Sequence, residues 1–350
     1  MTAPSTNIMR SPSGIFSIGP YTFKNPWILA PMAGVSEMPF RTLARQMGAS
    51  AAPTELISAK GLIYGSSRSE RYLRFDKTLE RPFWVQIFGG DPESMAQGAE
   101  RACELGAEII DVNMGCPVKK VTKNGAGSAL LQDAKRAALI VAAIVKRTQV
   151  PVTCKIRAGW DVHSLNYLEM VKALADAGCA AIAMHARTRA QGYSGQANWH
   201  WIRDLVEQSP IPVLGNGDVF TVQTAHELLQ TTGCQAILIG RGALGNPWIF
   251  SELKDPKSSR PSPQERLTVV LKHLKDHLDF CDSVVHGICR FRQHLMWYSH
   301  GLTGGAAFRS QVNTIEDLEQ LRTCCEQFFS QAGNNGDPSA QSFDVSKALG

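Results

Sequence analysis

About eight times between residues 27 and 252 the chain repeats one arrangement. A short apolar run is followed by a loop of Gly, Pro and polar residues, then by a segment with helical apolar spacing. The runs lie at 27–30, 50–54, 83–87, 109–113, 152–156, 180–185, 212–215 and 236–239. They are rich in Val and Ile and too short for buried helices, so they are expected to be strands. Between them, residues 92–105, 133–148, 165–177 and 221–232 have amphipathic helical spacing. Ser164 and Thr221 stand where N-caps are expected, and Asp91-Pro92 reads as a cap followed by proline at the first helical position. Strand alternating with helix implies a parallel sheet. About eight such units in roughly 230 residues match an α/β TIM (β/α)8 barrel. A doubly wound open sheet is the competing architecture, but Pro31-Met32-Ala33-Gly34 is not its dinucleotide fingerprint. Residues 16–23 alternate about Gly19-Pro20 and predict a hairpin closing the barrel's N-terminal end.

The composition changes at 254–263, a polar stretch holding Pro256, Pro261 and Pro263. Beyond it the strands cease, and 264–280, 286–300 and 314–329 have helical spacing. The division expected is a flexible segment at 1–14, the barrel at 15–255, a small helical bundle at 256–332 and a flexible tail at 333–350. The nine cysteines are scattered and odd in number, with no pair of CxxC motifs. That argues against a disulfide framework or a metal site and fits a reducing cytoplasm. There is no signal-peptide core and no apolar run of about 18 residues, so a cytoplasmic chain with no membrane segment is expected. It is further expected to be a monomer. A net charge of +5 permits a polyanionic partner without requiring one.

Barrel chemistry sits at the C-terminal ends of the strands. Those ends read Pro31-Met32-Ala33, Thr54-Glu55, Gln86, Asn113 with Cys116, Lys155 with Arg157, His185 with Arg187, Asn216-Gly217-Asp218, and Gly240-Arg241. Each has a plain structural reading. Gln86 could cap a loop, Asp218 could cap the helix that follows, His185 could be a bonded core residue, and Arg241 could pair on the surface. Their coincidence at one face is what points to a site. The most informative stretch is Asp111-Val112-Asn113-Met114-Gly115-Cys116-Pro117: a buried strand stops and hands an amide and a thiol to a loop. Gly215-Asn216-Gly217-Asp218 and Gly240-Arg241-Gly242, after the last two strands, have the make-up of a phosphate cradle. Lys155 sits in the otherwise apolar run 152–156, a costly place without an anion. It could form a Schiff base, pair with Asp111 or Glu55, or face a cofactor that becomes anionic. The amides Gln86 and Asn113 suit the donor–acceptor edge of a flavin, and a lysine suits its N1–O2 edge.

Read in order, Ala30-Pro31-Met32-Ala33-Gly34-Val35, Pro39-Phe40-Arg41, Gln86-Ile87-Phe88-Gly89, Asn113-Met114-Gly115-Cys116-Pro117, Lys155-Ile156-Arg157, His185-Ala186-Arg187-Thr188-Arg189, Asn216-Gly217-Asp218 and Gly240-Arg241-Gly242 form one series. The series resembles the FMN-dependent tRNA-dihydrouridine synthases over almost the whole barrel. The run 125–131 and the helical C-terminal part make the bacterial B type the most similar. Ser36-Glu37 stands where that family usually has Thr-Asp, and Ala186 where Gly is usual.

The resemblance implies a fold, cofactors and roles. NADPH would reduce FMN, and a tRNA uridine would flip into the barrel mouth. Hydride would go to C6, and Cys116 would protonate C5. Pro31, Met32, Ala33, Gln86, Lys155, Asn216, Gly217, Asp218, Gly240 and Arg241 match flavin-binding motifs, with His185 reaching the phosphate. Asn113, Arg157 and Arg187 match positions that hold the uracil or its nucleotide. The B type points to a D-loop uridine, position 17. For RNA, Lys119, Lys120 and Lys123 follow the thiol, while Lys272, Lys275, Arg290, Arg292 and His294 lie near Trp297 and Tyr298 on the expected helices. Two rivals stay open: a flavin barrel acting on a free pyrimidine, as dihydroorotate dehydrogenases do, and a flavin-free phosphate-binding isomerase or lyase.

Overall fold

Strands buried on both faces need apolar residues at almost every position, and the short runs supply them. The computed structural model describes residues 14–331 apart from Pro256 and Ser259. The expected flexible ends, Gly14 excepted, lie outside the described residues. A hairpin of β1 (Phe16–Ile18) and β2 (Tyr21–Phe23) comes first. Then come β3 (Trp27–Leu29), β4 (Ile57–Ser58), β5 (Trp84–Phe88), β6 (Ile109–Met114), β7 (Val152–Arg157), β8 (Ala181–His185), β9 (Val213–Asn216) and β10 (Ala236–Ile239). These eight pair in parallel in the order β3-β10-β9-β8-β7-β6-β5-β4. The sheet curls shut where Ala51 bridges Ile28 and its carbonyl accepts the Leu29 N–H at 3.0 Å. The architecture is a TIM-like barrel.

The second strand departs from the run at 50–54. Only Ala51 bridges there, and the ladder resumes at β4. Pro53 has no N–H to give, and the Thr54 hydroxyl accepts the Gln86 N–H at 2.9 Å in place of a backbone carbonyl. The hairpin packs Phe16, Ile18 and Phe23 against inward-facing Trp84, Ile109 and Leu214, sealing the N-terminal end.

Helices Pro92–Glu104, Ala134–Arg147, Tyr167–Asp176 and Val222–Thr232 cover the sheet as the spacing predicts. Asp91 caps the first through the Ser94 N–H, and Thr221 caps the last in a capping box with Thr224. Ser164 is not a cap. Its hydroxyl donates to Asp161 in a preceding turn at 2.8 Å, and Asn166 stands at the helix boundary.

After Lys254 only helices follow: Pro263–Phe280, Val284–Tyr298, Gly305–Val312 and Leu318–Gln331. They have their own apolar core around Val270, Leu274, Phe291, Leu295 and Phe329. The two cores interlock. Trp248 from the barrel packs into the helical core, while Phe280 and Trp297 pack into the barrel core. Among the described residues no helix is long and apolar enough to cross a membrane.

Candidate active site

β6 places Asn113 and Met114 at the barrel's C-terminal end, and the chain then turns sharply. Asn113 makes the turn: its side-chain oxygen accepts the N–H groups of Cys116 at 3.0 Å and Gly115 at 3.3 Å. Gly127 backs the loop in the left-handed region at φ 59°. A Cβ there would stand 2.8 Å from the Cys116 carbonyl, so only glycine lets the two segments approach. The Cys116 thiol is half-buried. Burial pushes its pKa up, against weaker pulls from the Val118 N–H and the Arg157 charge. The group is therefore a thiol, not a thiolate, at neutral pH.

Across the mouth, β7 carries Lys155 and Arg157, and β8 ends in His185. The Lys155 ammonium donates to the Asn216 side-chain oxygen at 3.1 Å rather than to a carboxylate, and Asn216 in turn donates to the Leu238 carbonyl at 2.7 Å. Burial lowers the Lys155 pKa to about 8, with Arg157 adding to the fall and Asp111 opposing it. His185 is buried among Arg157, Lys155, Arg187 and Arg241, which hold its pKa well below the usual range, burial first. The ring is neutral. Because Arg187 can only donate, His185 Nε2, 3.3 Å from Arg187 Nη1, is the acceptor and Nδ1 carries the proton.

Asp218 gathers the far side. It binds Arg187 with both oxygens at 2.9 and 2.8 Å, Arg241 at 2.7 Å and the Ala197 N–H at 2.7 Å. It does so from a left-handed backbone, φ 55°, that a non-glycine residue seldom adopts. Arg187 also donates to the Ser194 and Gly195 carbonyls, so all five of its N–H groups are engaged within the protein. Arg157 donates to the carbonyls of Gly115, Thr188 and Gly192. The mouth thus joins four cations and a neutral imidazole to Asp218, with Asp111 acting on Lys155 from deeper in the barrel. That excess positive charge, the amides of Gln86 and Asn113, and the small residues at Gly217 and Gly240 fit a planar heterocycle bearing a phosphate. Tyr193 was not singled out by the sequence. Its ring lies 5.7 Å from the Arg157 guanidinium, 5.1 Å from that of Arg241 and 6.1 Å from the His185 ring. Its only signal was an aromatic between Gly192 and Gly195 in the loop after Arg187.

The rim beside β3 holds Pro31, Met32 and Ala33. Ser36 ties this loop by accepting the Met32 N–H at 2.8 Å. Glu55 accepts the Gly34 N–H at 2.6 Å, and burial together with the Glu37 charge raises its pKa to about 7. Glu37 is bonded by Arg290 of the helical part and lies 3.7 Å from His277.

Of the basic residues on the second part's helices, Lys272 and Lys275 are exposed, Arg290 and Arg292 are partly buried and His294 is buried. Lys272 and Lys275 pair with Asp276 and Asp279 one turn on. Arg290 is taken by Glu37, and Arg292 donates to the Ile315 carbonyl at 2.6 Å. His294, Trp297 and Tyr298 are buried. Lys119, Lys120 and Lys123 are exposed as well, just beyond the thiol, and have no ion-pair partner among the described residues.

Residues 28–333 match the family described as dihydrouridine synthase (Dus). The chain is 41% identical over 329 residues to tRNA-dihydrouridine synthase B of Pseudomonas aeruginosa, covering 92% of this chain and 98% of that one. It is 42% identical to the protein of the same name from Pseudomonas syringae pv. tomato, over 91% of this chain and 96% of the other. A probable tRNA-dihydrouridine synthase of Rickettsia prowazekii is 37% identical, over 90% and 98%. Among solved structures, histamine dehydrogenase from Rhizobium sp. 4-9 superposes with a TM-score of 0.53 at 12% identity, over 75% of this chain and 50% of that one. The old yellow enzyme of Trypanosoma cruzi gives 0.50 at 10%, over 72% and 94%. At such identities these two speak for the barrel alone.

Proposed function

The chain belongs to the dihydrouridine synthase family, and we propose from that premise that it reduces the C5–C6 double bond of a tRNA uridine, position 17 in the D loop. FMN is the proposed cofactor and NADPH the reductant. The proposed place of action is the cytoplasm, as a monomer.

When bound, FMN supplies the hydride that reaches uracil C6. The residues around the mouth do the rest. Gly217, Gly240, Arg241 and His185 hold the phosphate, His185 through its Nδ1 proton and Arg241 through its charge. Asp218 keeps Arg241 and Arg187 in place, so Arg187 acts by shaping the mouth. Gln86, Lys155, Asn216 and the Pro31-Met32-Ala33 loop would hold the ring, and the Lys155 ammonium would offset the negative charge it gains on reduction. Asn113 and Arg157 flank the uracil. Hydride addition leaves an electron pair at C5, and the Cys116 S–H bond breaks to supply the proton there. The thiolate so formed recovers its proton from water. The helical part, proposed as residues 256–332, extends the surface that meets RNA.

One observation carries the reading: Asn113 pins the loop that bears Cys116 at the end of β6, where burial keeps the thiol protonated within reach of the Arg157 charge. The relatives' names point to tRNA rather than a free pyrimidine. Two measurements test this. Purified protein should carry stoichiometric flavin, and its reduced flavin should be reoxidised by tRNA but not by orotate. Mapping dihydrouridine in tRNA from a strain lacking the gene should show position 17 unmodified. Loss at another position would correct the site, and an unchanged pattern would refute the function.

A further inference from the structure

Behind the thiol a line of buried hydrogen-bonded polar groups joins Gln86 and Asn113 to Asp111, Thr153 and Trp84, three residues to which the proposed chemistry gives no role. It begins at the Trp84 indole N–H, which donates to the Thr153 hydroxyl at 3.2 Å. Thr153 donates to one oxygen of Asp111 at 2.6 Å. The other oxygen of Asp111 accepts from the Gln86 side-chain amide at 2.7 Å. The Gln86 oxygen accepts from the Asn113 amide at 2.8 Å, and the Asn113 oxygen accepts the Cys116 N–H at 3.0 Å. Thr153 and Gln86 are 1% exposed, Asp111 3% and Asn113 7%, so water has little access to repair a wrong bond.

The two ends of this line fix everything between them. An ionised carboxylate can only accept, and a backbone N–H can only donate. Gln86 must therefore turn its NH₂ toward Asp111 and its oxygen toward Asn113. Asn113 must then turn its NH₂ toward Gln86 and its oxygen toward the Cys116 loop. Turning either amide over would set N–H against N–H in a dry interior. Burial raises the Asp111 pKa to about 6, while Thr153, Gln86 and the Lys155 charge draw it down, so the carboxyl is ionised at neutral pH. The line uses one N–H of each amide and leaves each a second.

We propose that Asp111 is a positioning residue for Cys116: its carboxylate sets the orientation of the Gln86 and Asn113 amides and through them holds the thiol's loop in register with the mouth. This rests on the reading of Cys116 as the acid.

The test is an exchange of charge along the line. Gln86→Glu alone sets two carboxyls against each other. Gln86→Glu with Asp111→Asn restores every donor and acceptor: the new amide at 111 accepts from Thr153 and donates to the new carboxylate at 86, which still accepts from Asn113. The readout is alkylation of Cys116 by iodoacetamide in flavin-free protein, followed by peptide mass spectrometry, with exposed Cys289 as the internal reference. Gln86→Glu should speed Cys116 alkylation about tenfold, the scale of one lost buried hydrogen bond. Relative to wild type, that excess should shrink as pH falls and the facing carboxyls take up a shared proton. The double variant should return to near the wild-type rate, with no such pH dependence. Should Gln86→Glu fail to fold, Asp111→Asn serves as the single variant, since its one amide cannot satisfy both Thr153 and Gln86. A double variant no closer to wild type than its single parent would overturn the proposal, as would equal Cys116 rates in all forms. This arm needs neither flavin nor turnover, so it stands or falls apart from the acid role of Cys116.

Discussion

A side chain that gives up a proton once per turnover must hold it in the interval. Cys116, the proposed acid, keeps its proton at neutral pH because burial outweighs the pull of Arg157 and the Val118 N–H. Cys116→Ala should leave fold and flavin intact and slow flavin reoxidation by tRNA by ~10²–10⁴-fold, the usual value of one positioned acid. Cys116→Ser should lie nearer to Ala, because a hydroxyl is the weaker acid. The part of the rate that Cys116→Ala removes should hold through neutral pH and fall as pH climbs through the raised thiol pKa, above the step that Lys155 adds near pH 8. Rapid mixing across pH checks both, and a Cys116→Ala enzyme that matches wild type would remove the thiol from the chemistry. Which residue types gather at the mouth was legible in the chain, since each stands at a strand end. Who bonds to whom was not. Lys155 meets Asn216 rather than Asp111, and Arg187 spends its donors on Asp218 and two carbonyls. Asn216 and Asp218 come from β9 and the turn after it, far in sequence from Lys155 and Arg187, and no spacing within one segment reveals such pairs.

Elements were read more surely than bonds because a strand or helix writes its period into its own residues. β6 and β8 are buried throughout, and β8 is apolar from Ala181 to Met184 while β6 is apolar except at Asp111 and Asn113. β4 was displaced because a proline and a threonine hydroxyl rewrite the ladder there. The helix Gly305–Val312 went unread because it opens with Gly-Ala-Ala, and only Gly305, Phe308 and Val312 in it are buried. The loop after β3 shows how elements are coupled electrically. Glu55 is held near Glu37, and its pKa is raised from 4.5 to about 7. In that window the folded chain keeps a proton that the unfolded chain releases, so stability falls as pH rises from about 4.5 to about 7. Glu55→Gln should flatten this part of the stability profile and gain up to about 3 kcal/mol above it. Thermal melts of both forms between pH 5 and 8 measure the effect, and parallel profiles would show that Glu55 does not carry it.

At the scale of the molecule, the helical part is not an appendage. Phe280 and Trp297 belong to the barrel core, so cutting the chain near 262 would strip that core as well as any RNA surface. Charge variants probe RNA binding more cleanly. Changing Lys119, Lys120 and Lys123 together to Glu should weaken tRNA binding and reduce the slope of log affinity against log salt by about 2–3. An unchanged slope would move the phosphate contacts elsewhere. The hairpin has the widest reach. With Phe16, Ile18 and Phe23 packed into the bottom of the barrel, everything must come and go by the top. The proposed nicotinamide and the tRNA loop would then share the doorway at the top, each entering only after the other has left. Turnover should follow double-displacement kinetics, with parallel lines in reciprocal plots of rate against one substrate at several levels of the other. Lines that converge would mean both fit at once, and that the barrel has a second way in.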